Sequence, residues 1–537
     1  MKKYSSILVG ILFLNMSLTA QQKNNCPLIP FPQSIEKVKA VFELTDKTSI
    51  IYEEELAEEA YFLQKELLNH NSIAVSVGEN KSSALSQNQI VIKFLPKKKK
   101  NTLIRQEFYS LKMNNKEVII EAETHKGIFY GIISFIQLAR LAEKNKNNMI
   151  QLECWNIEDE PVYAWRGLML DESRHFFGKE KVKQLLDWMA MYKLNRFHWH
   201  LTDTPGWRIE IKGYPKLAYI GGIGNNTQPY MKAEFYTQEE IKEIIQYAKE
   251  RNIEVIPEID MPGHAAAANR AYPEFSGGGS ERYPDFTFNP GKDSVYTFLT
   301  HVLKEVDALF PSQIIHLGGD EVHFGNENWK SDKNVQALME KENLTELKEV
   351  ENYFLKRMAD SVMAMNNKIA AWDEVAESNL PTDKTIVFFW RHDKPSQLQK
   401  AVDKGFPVVL CPRIPLYFDF IQDASHKQGR TWNGDFSSID KVYAFNHKNI
   451  PVIYPQHSNI LGIQANIWTE MIATQQRLDF MSFPRIAALA EAAWTEDRNK
   501  NFDNFNTRLK EHLKLYQKNN IYYYDPFSSQ NTCEPVR

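Results

Sequence analysis

The sequence predicts an α/β protein whose main body is a (β/α)8 TIM barrel, preceded by a small α+β domain. From Tyr163 onward, short β-branched or aromatic runs alternate with amphipathic segments of helical periodicity. Eight such alternations over about 340 residues fit a barrel with long insertions better than a doubly wound sheet. All eleven tryptophans lie between Trp155 and Trp494, so the composition changes near residue 155. We therefore expect a domain boundary there.

The segment before this boundary mixes short strands with helices. Its apolar patterns predict strands at 49–52, 89–94 and 117–122, and helices at 53–68 and 127–142. We assign residues 21–160 to a small N-terminal α+β domain.

The predicted barrel occupies residues 161–537. A capping box formed by Thr237 and Glu240 marks the start of one of its helices. The predicted helices cover 180–193, 237–251, 294–309 and 349–366. The eight predicted strands cover 167–171, 195–200, 253–259, 314–317, 368–372, 385–390, 407–411 and 460–465.

The overall charge excludes some classes of partner. Lysine and arginine total 64 against 68 acidic residues, a net charge of −4. Such a balance does not indicate a nucleic acid or an anionic membrane as partner. The four cysteines are scattered without the spacing of a metal site, and no cofactor or metal is predicted.

The first twenty residues have the pattern of a cleavable secretory signal peptide. Lys2 and Lys3 precede an apolar run at 7–14, and small residues end the segment at Ala20. No other apolar run is long enough to span a membrane. We expect an exported protein, periplasmic or extracellular. A lipid anchor on Cys26 is less favoured, because no small-residue box precedes it.

Residues that follow the carboxyl ends of barrel strands form the active face of this fold. At these positions lysine is missing, which argues against Schiff-base chemistry, and no nucleophile elbow is present. Carboxylates that converge with tryptophans are typical of a sugar site, because indole stacks on a sugar ring and carboxylates accept its hydroxyls. The residues at these positions are Asp171, Arg174, His198, His200, Asp203, His264, Asp320, Glu321, Trp372, Trp390, Tyr417, Asp419, Trp468 and Glu470.

Asp320 and Glu321 are the candidate acid pair, and they follow Gly318 and Gly319 at a strand end. Adjacent α-carbons lie only about 3.8 Å apart. Ordinary retaining hydrolysis uses two carboxyl groups that flank the scissile bond. Substrate-assisted hydrolysis is a known exception to this arrangement. Applied to a pair anchored side by side, it would have Glu321 protonate the leaving oxygen while Asp320 holds a nucleophile that the substrate brings.

Four segments resemble the family 20 glycoside hydrolases, the β-N-acetylhexosaminidases. They begin at Arg166, His198, Pro257 and His316, and the resemblance covers the barrel in strand order and the domain before it. The segments read RGLMLDESRHF, HWHLTD, PEIDMPGH and HLGGDE.

The resemblance implies three catalytic roles. Glu321 matches the general acid and base. Asp320 matches the residue that orients the 2-acetamido group and stabilises the oxazolinium intermediate. Tyr417 matches the hydroxyl that hydrogen-bonds the acetamido oxygen. The implied substrate is a glycan with a terminal N-acetylhexosamine, and the resemblance leaves a homodimer open.

It also implies how the sugar is bound. The aromatic pocket around the acetamido methyl and the sugar face corresponds to Trp372, Trp390 and Trp468. The ligands of O3, O4 and O6 correspond to Arg174, Asp419 and Glu470. Polar residues that bind the sugar or orient its ligands correspond to Asp171, Asp203, His264 and His200.

Two positions depart from the family pattern. Thr204 and Pro205 follow Asp203 where many relatives carry a second acid and a glutamine. Phe420, not an arginine, follows Asp419. An acidic Asp419 with no adjacent arginine disfavours anionic terminal sugars, so we expect neutral N-acetylglucosamine or N-acetylgalactosamine.

Two alternatives remain open. A zinc-dependent hydrolase could use a site assembled from His198, His200, His264, His316 and Asp320. A cationic Arg174 near such a site opposes a dication. A glycan-binding protein on an inactive barrel would also need tryptophans, but it has no need of an acid pair.

Overall fold

The computed structural model describes residues 26–79, 88–96, 103–145, 149–455 and 458–536. The predicted signal peptide at 1–20 lies outside these residues. No helix of the described ranges is long and apolar enough to cross a membrane. The four cysteines are all free thiols, and Cys26, Cys154 and Cys411 are buried.

The N-terminal part is a seven-stranded mixed sheet covered by two helices. The strand order is β1-β7-β5-β6-β4-β2-β3, with parallel pairing among β6, β4, β2 and β3 and antiparallel pairing elsewhere. The helices are α1 (Ala57–Asn71) and α2 (His125–Leu141). The strands are β1 (Ser34–Leu44), β2 (Ser49–Tyr52), β3 (Ser76–Glu79), β4 (Gln89–Phe94), β5 (Tyr109–Met113), β6 (Glu117–Ala122) and β7 (Ile150–Asp159).

Eight parallel strands then close into a barrel in the order β10-β11-β12-β13-β14-β15-β8-β9, which confirms the predicted fold class. Side chains alternate between the helices and the barrel interior, and the interior is filled by residues such as Trp165, Ile256 and Phe388. The strands are β8 (Trp165–Asp171), β9 (Arg196–His200), β10 (Glu254–Glu258), β11 (Ile314–His316), β12 (Lys368–Trp372), β13 (Thr385–Phe389), β14 (Val408–Leu410) and β15 (Ile460–Ile467).

Helices surround the barrel and extend its loops. The predicted capping box of α4 is present, with Thr237 and Glu240 satisfying each other's backbone N–H groups. The helices are α3 (Lys179–Met191), α4 (Gln238–Lys249), α5 (Ala266–Ala271), α6 (Asp293–Leu309), α7 (Lys333–Glu342), α8 (Leu347–Ala364), α9 (Pro395–Lys404), α10 (Arg413–Leu416), α11 (Ile439–Ala444), α12 (Gln475–Ser482), α13 (Arg485–Trp494) and α14 (Phe502–Lys518).

Buried ion pairs join the sheet to the barrel. Arg166 Nη1 lies 2.7 Å from Glu107 Oε2, and Lys193 Nζ lies 3.2 Å from Asp159 Oδ2. Asp159 also accepts the indole N–H of Trp494 at 3.0 Å. Because charged groups inside a protein need such partners, these contacts fix the position of the barrel's first strands against the sheet.

Candidate active site

The carboxyl ends of the barrel strands surround a cavity of about 330 Å³. Most of the residues predicted for the site line it: Arg174, His264, Asp320, Glu321, Trp372, Trp390, Tyr417, Asp419, Trp468 and Glu470. The other predicted residues, Asp171, His200 and Asp203, are buried behind this lining.

A tight turn delivers the acid pair to the cavity. Gly318 has a φ of 66°, and a β-carbon there would lie 1.8 Å from Asp260 Oδ1, so only glycine fits. Glu321 has a φ of 52°, in the left-handed region that non-glycine residues rarely adopt. His264 Nε2 lies 3.6 Å from Asp320 Oδ2 and 3.7 Å from Glu321 Oε2. The two carboxyl groups therefore lie on the same side of the cavity.

Aromatic side chains form the wall of the cavity. The ring centroid of Trp468 lies 5.8 Å from that of Trp372 and 6.1 Å from that of Tyr417. The indole N–H of Trp372 donates to Glu258 at 2.9 Å, and that of Trp390 donates to a neighbouring glutamate at 3.1 Å. These bonds fix the orientation of both rings and leave their faces for apolar contact with a ligand.

Polar groups complete the lining. Arg174 Nη2 lies 2.7 Å from Asp203 Oδ2, and its guanidinium lies 5.0 Å from the centre of the Trp468 ring. Asp171 accepts the backbone N–H groups of Arg174 and Thr469 at 3.0 Å each, which joins the loop after β8 to the loop after β15. Asp171 therefore stabilises the cavity wall through these hydrogen bonds.

Asp419 has a cationic neighbour that the sequence argument did not include. Arg430 Nε lies 3.1 Å from Asp419 Oδ2, and Arg430 Nη2 lies 2.7 Å from Glu470 Oε1. Phe420 follows Asp419 in the chain, but the loop after Phe420 folds back and brings Arg430 to the Asp419 carboxylate.

A chain of buried hydrogen bonds runs beneath the acid pair. Asp203 accepts from His264 Nδ1 at 3.0 Å and from His200 Nε2 at 3.0 Å. His200 Nδ1 in turn donates to Glu258 Oε2 at 2.5 Å. Asp203 and His200 thus connect the cavity to Glu258, which lies at the end of β10 and is fully buried.

The charged groups along this chain of hydrogen bonds shift one another's pKa values. Burial alone would raise the pKa of Asp203, but Arg174 and His264 hold it well below its usual value. Burial lowers the pKa of His264, yet Asp203 and Asp320 outweigh it and raise that pKa to about 9. Burial and the nearby Asp260 raise the pKa of Asp320 well above its usual value. His264 is therefore a cation next to the acid pair at neutral pH.

The residues of the zinc alternative do not form one cluster. Among the described residues, His198 and His316 lie with Glu258, His200 lies with Asp203 and Asp260, and His264 lies with Asp320 and Asp260. Each of these groups has three ligand atoms within 4.8 Å of one another. Zinc chemistry would need one such group at the cavity, and only the group with His264 reaches it.

Several functional positions were missed by sequence reasoning. Glu258 stands in the quoted PEIDMPGH segment, but its contacts with histidines from other strands have no local signal. The loop between β14 and β15, from which only Tyr417 and Asp419 were predicted, supplies five further lining residues. These residues are Arg413, Phe420, Arg430, Thr431 and Trp432.

A barrel whose mouth combines an acid pair, indole walls and buried carboxylate ligands defines a glycoside hydrolase. The sequence model "Glycosyl hydrolase family 20, catalytic domain" matches residues 163–497, and "Glycosyl hydrolase family 20, domain 2" matches residues 25–160. The chain belongs to glycosyl hydrolase family 20.

Known proteins resemble the chain over most of its length. It is 34% identical to a beta-hexosaminidase of Porphyromonas gingivalis over 94% of this chain and 65% of that one. It is 34% identical to a beta-hexosaminidase of Vibrio furnissii over 86% of this chain and 76% of that one. The chain thus spans about two thirds to three quarters of the length of these relatives.

Solved structures share the fold. A GH20 exo beta-N-acetylglucosaminidase from Vibrio harveyi, in complex with N-acetylglucosamine, matches with a TM-score of 0.84 and 32% identity, covering 94% of this chain and 79% of that one. A beta-N-acetylhexosaminidase from Bacteroides fragilis matches with a TM-score of 0.79 and 30% identity, covering 92% of this chain and 96% of that one.

Proposed function

We propose that the protein is an exo-acting, retaining β-N-acetylhexosaminidase that releases terminal β-linked N-acetylglucosamine or N-acetylgalactosamine from glycans. The observation that carries this proposal is the acid pair on one side of an aromatic cavity. Trp372 and Tyr417 line the cavity and are buried, and we infer that a glycan enters by its terminal sugar. The names of the relatives and the bound N-acetylglucosamine of the Vibrio harveyi protein support the same substrate.

The proposed mechanism needs no enzymic nucleophile. The acetamido oxygen of the substrate attacks the anomeric carbon while Glu321 gives its proton to the leaving oxygen, and an oxazolinium ion forms. Asp320 pairs with the acetamido N–H, and Tyr417 donates to the acetamido oxygen. The positive charge of the intermediate favours the ionised form of Asp320. Glu321 then removes a proton from the water that opens the ring, so the product keeps the β configuration.

In the proposed complex, Arg174, Asp419 and Glu470 bind the sugar hydroxyls. Every arginine that lines the described cavity has a carboxylate partner: Arg174 pairs with Asp203, Arg430 with Asp419 and Glu470, and Arg413 with Asp393. The positive charges are thereby balanced, which supports a neutral terminal sugar even though Arg430 lies beside Asp419.

We also propose that the protein is exported without a lipid anchor. A second proposal is that it forms a homodimer. The Cys26 thiol is fully buried, and burial raises its pKa to about 12. A diacylglycerol group could be attached to that sulfur only if Cys26 left the interior of the fold, which opposes a lipid anchor. Mass spectrometry of the mature N-terminus tests the first proposal, and light scattering of the purified protein tests the second.

The central test is turnover of an aryl N-acetyl-β-glucosaminide with and without EDTA. We expect hydrolysis that EDTA leaves unchanged, strong inhibition by a thiazoline analogue of the cyclised sugar, and β product in early proton NMR spectra. Loss of turnover in EDTA that zinc restores would favour the metal-dependent alternative. Binding without turnover would favour a glycan-binding protein. Initial α product would exclude the retaining mechanism.

A further inference from the structure

Arg430 occupies an unusual place in the cavity because it contacts two proposed sugar ligands at once. Its Nε lies 3.1 Å from Asp419 Oδ2, and its Nη2 lies 2.7 Å from Glu470 Oε1. The two carboxylates come from different loops, one after β14 and one after β15. The guanidinium therefore sets the distance between them, and with 44% of its side chain exposed it remains in reach of a ligand.

The backbone around Arg430 is held to the same wall. Its N–H donates to the carbonyl oxygen of Asp419 at 3.2 Å, and its own carbonyl oxygen accepts from the N–H of Ile421 at 3.1 Å. This pairing is a short parallel bridge between the segment that carries Asp419 and the segment that carries Arg430. The position of the guanidinium thus depends on the path of residues 427–430.

That path is fixed from outside the cavity by the C-terminal segment. The carboxylate of Glu534 accepts the backbone N–H groups of Lys427 at 2.6 Å and Gln428 at 3.0 Å. It also pairs with Arg477 Nη1 at 2.7 Å, and Arg477 Nη2 donates to the carbonyl oxygen of Gln428 at 2.5 Å. We call Glu534 and Arg477 together the clamp. Because the Arg477 side chain on α12 is fully buried, the clamp has a rigid base.

We propose that Arg430 is a positioning residue for the substrate, acting through Asp419 and Glu470, and that Glu534 and Arg477 hold it in place. The inference rests on the proposed function, in which Asp419 and Glu470 bind the terminal sugar. Arg430 favours the ionised form of both carboxylates and holds them at a fixed separation, so that they receive the sugar hydroxyls without rearrangement. The C-terminal segment thereby contributes to sugar affinity from outside the cavity.

The charges around Asp419 give the proposal a readout in pH. Burial raises the pKa of Asp419 to about 7, with Arg430 lowering it, Glu470 raising it and Arg485 lowering it. Arg174 acts on the neighbouring Glu470. Together with Arg430, it lowers the pKa of Glu470 against the effect of burial. Without the Arg430 guanidinium, the pKa of Asp419 rises further, so a larger share of Asp419 is protonated at neutral pH.

The first experiment measures KM and kcat against pH for Arg430→Met and Arg430→Lys with an aryl N-acetyl-β-glucosaminide. We expect Arg430→Met to raise KM about tenfold at pH 7, the effect of one lost charged hydrogen bond, and to move the acid limb of the KM profile to higher pH. Arg430→Lys keeps the charge and should restore the position of that limb. Wild-type KM and profile in Arg430→Met, or a lowered KM, would overturn the positioning role.

The second experiment tests the clamp by hydrogen exchange, and KM is a second measurement on the same variant. Hydrogen exchange of residues 427–430 should become faster in Glu534→Ala, and KM should rise about threefold to tenfold while kcat changes less than about twofold. Glu511→Ala is the matched control, since this carboxylate pairs with Lys514 on the exposed face of α14. Unchanged exchange in Glu534→Ala would overturn the clamp. Absence of turnover in the wild-type protein would instead contradict the proposed function, and the exchange result would still decide the clamp.

Discussion

Replacing Glu258 by glutamine should strongly destabilise the protein. The Glu258 carboxylate accepts from His200 at 2.5 Å and from Trp372 at 2.9 Å, and ring nitrogens of His198 and His316 lie 3.0 Å away. An amide retains one oxygen, so one charged hydrogen bond worth about 1.5 to 3 kcal/mol is lost. The protonated His200 also loses one of its two buried counter-charges, since only Asp203 remains. Breaking such a buried pair costs about 3 to 5 kcal/mol, a range that already includes the lost hydrogen bond. We expect the free energy of unfolding at pH 7 to fall by about 3 to 5 kcal/mol.

Glu172→Gln is the matched control. Glu172 is equally buried and accepts from the Phe177 N–H and the Tyr236 hydroxyl at 2.8 Å each. Burial raises its pKa to about 8, so the side chain is neutral at pH 7 and an amide replaces it at a cost of about 1 kcal/mol. Urea unfolding followed by tryptophan fluorescence compares the two variants. Equal losses in both would refute the reasoning that Glu258 is a buried anion.

The pH dependence of the Glu258 effect follows from its direction of shift. Burial raises the pKa of Glu258, but His200, His316 and His198 outweigh it and hold that pKa well below its usual value. The stabilisation is therefore present above the unfolded pKa, about 4.3, and is lost as pH falls through the folded pKa. The difference between wild type and Glu258→Gln should shrink in acid. A difference that grows as the pH falls would contradict the assignment.

Glu321→Gln should lower kcat by about 10² to 10⁴-fold with little change in KM; wild-type turnover by this variant would remove Glu321 from the proposed mechanism. Asp203→Asn removes the carboxylate that helps raise the pKa of His264 to about 9, so the alkaline limb of kcat/KM against pH should move to lower pH, and a fixed limb would show that His264 does not cause it. Arg166→Met breaks the buried pair with Glu107 and should lower the free energy of unfolding in urea by about 3 to 5 kcal/mol, whereas an unchanged midpoint would contradict the role of that pair.

The barrel could be predicted because its strands are short apolar runs separated by amphipathic helices. The predicted strand at 368–372 has the same bounds as β12, since both its ends meet polar residues. The N-terminal sheet was harder, and β1 (Ser34–Leu44) was not predicted. This strand lies at the edge of the sheet, and only Phe42 and Leu44 are buried in it. A shift of register between Val38 and Val41 also interrupts the alternating apolar pattern on which such a prediction depends.

The site could be predicted only where strand ends define it. Asp320 and Glu321 come shortly after β11, and Gly318 between them and the strand marked a turn that admits no side chain. Arg430 could not be found in this way, because its contact with Asp419 depends on the path of a long loop between β14 and β15. Glu258 is a barrel-interior residue whose partners come from other strands, and sequence spacing carries no information on such pairs.

The ion pairs between the N-terminal domain and the barrel limit how the protein can be truncated or joined to other domains. Arg166 and Lys193 belong to the barrel, but their counter-charges come from the N-terminal domain, Glu107 from the turn before β5 and Asp159 from the end of β7. A barrel produced alone from residue 161 would lack these acidic partners for two buried cations, one in β8 and one in the turn before β9. The catalytic half is therefore not a portable module, and grafts or shortened versions of this enzyme should carry the sheet with it.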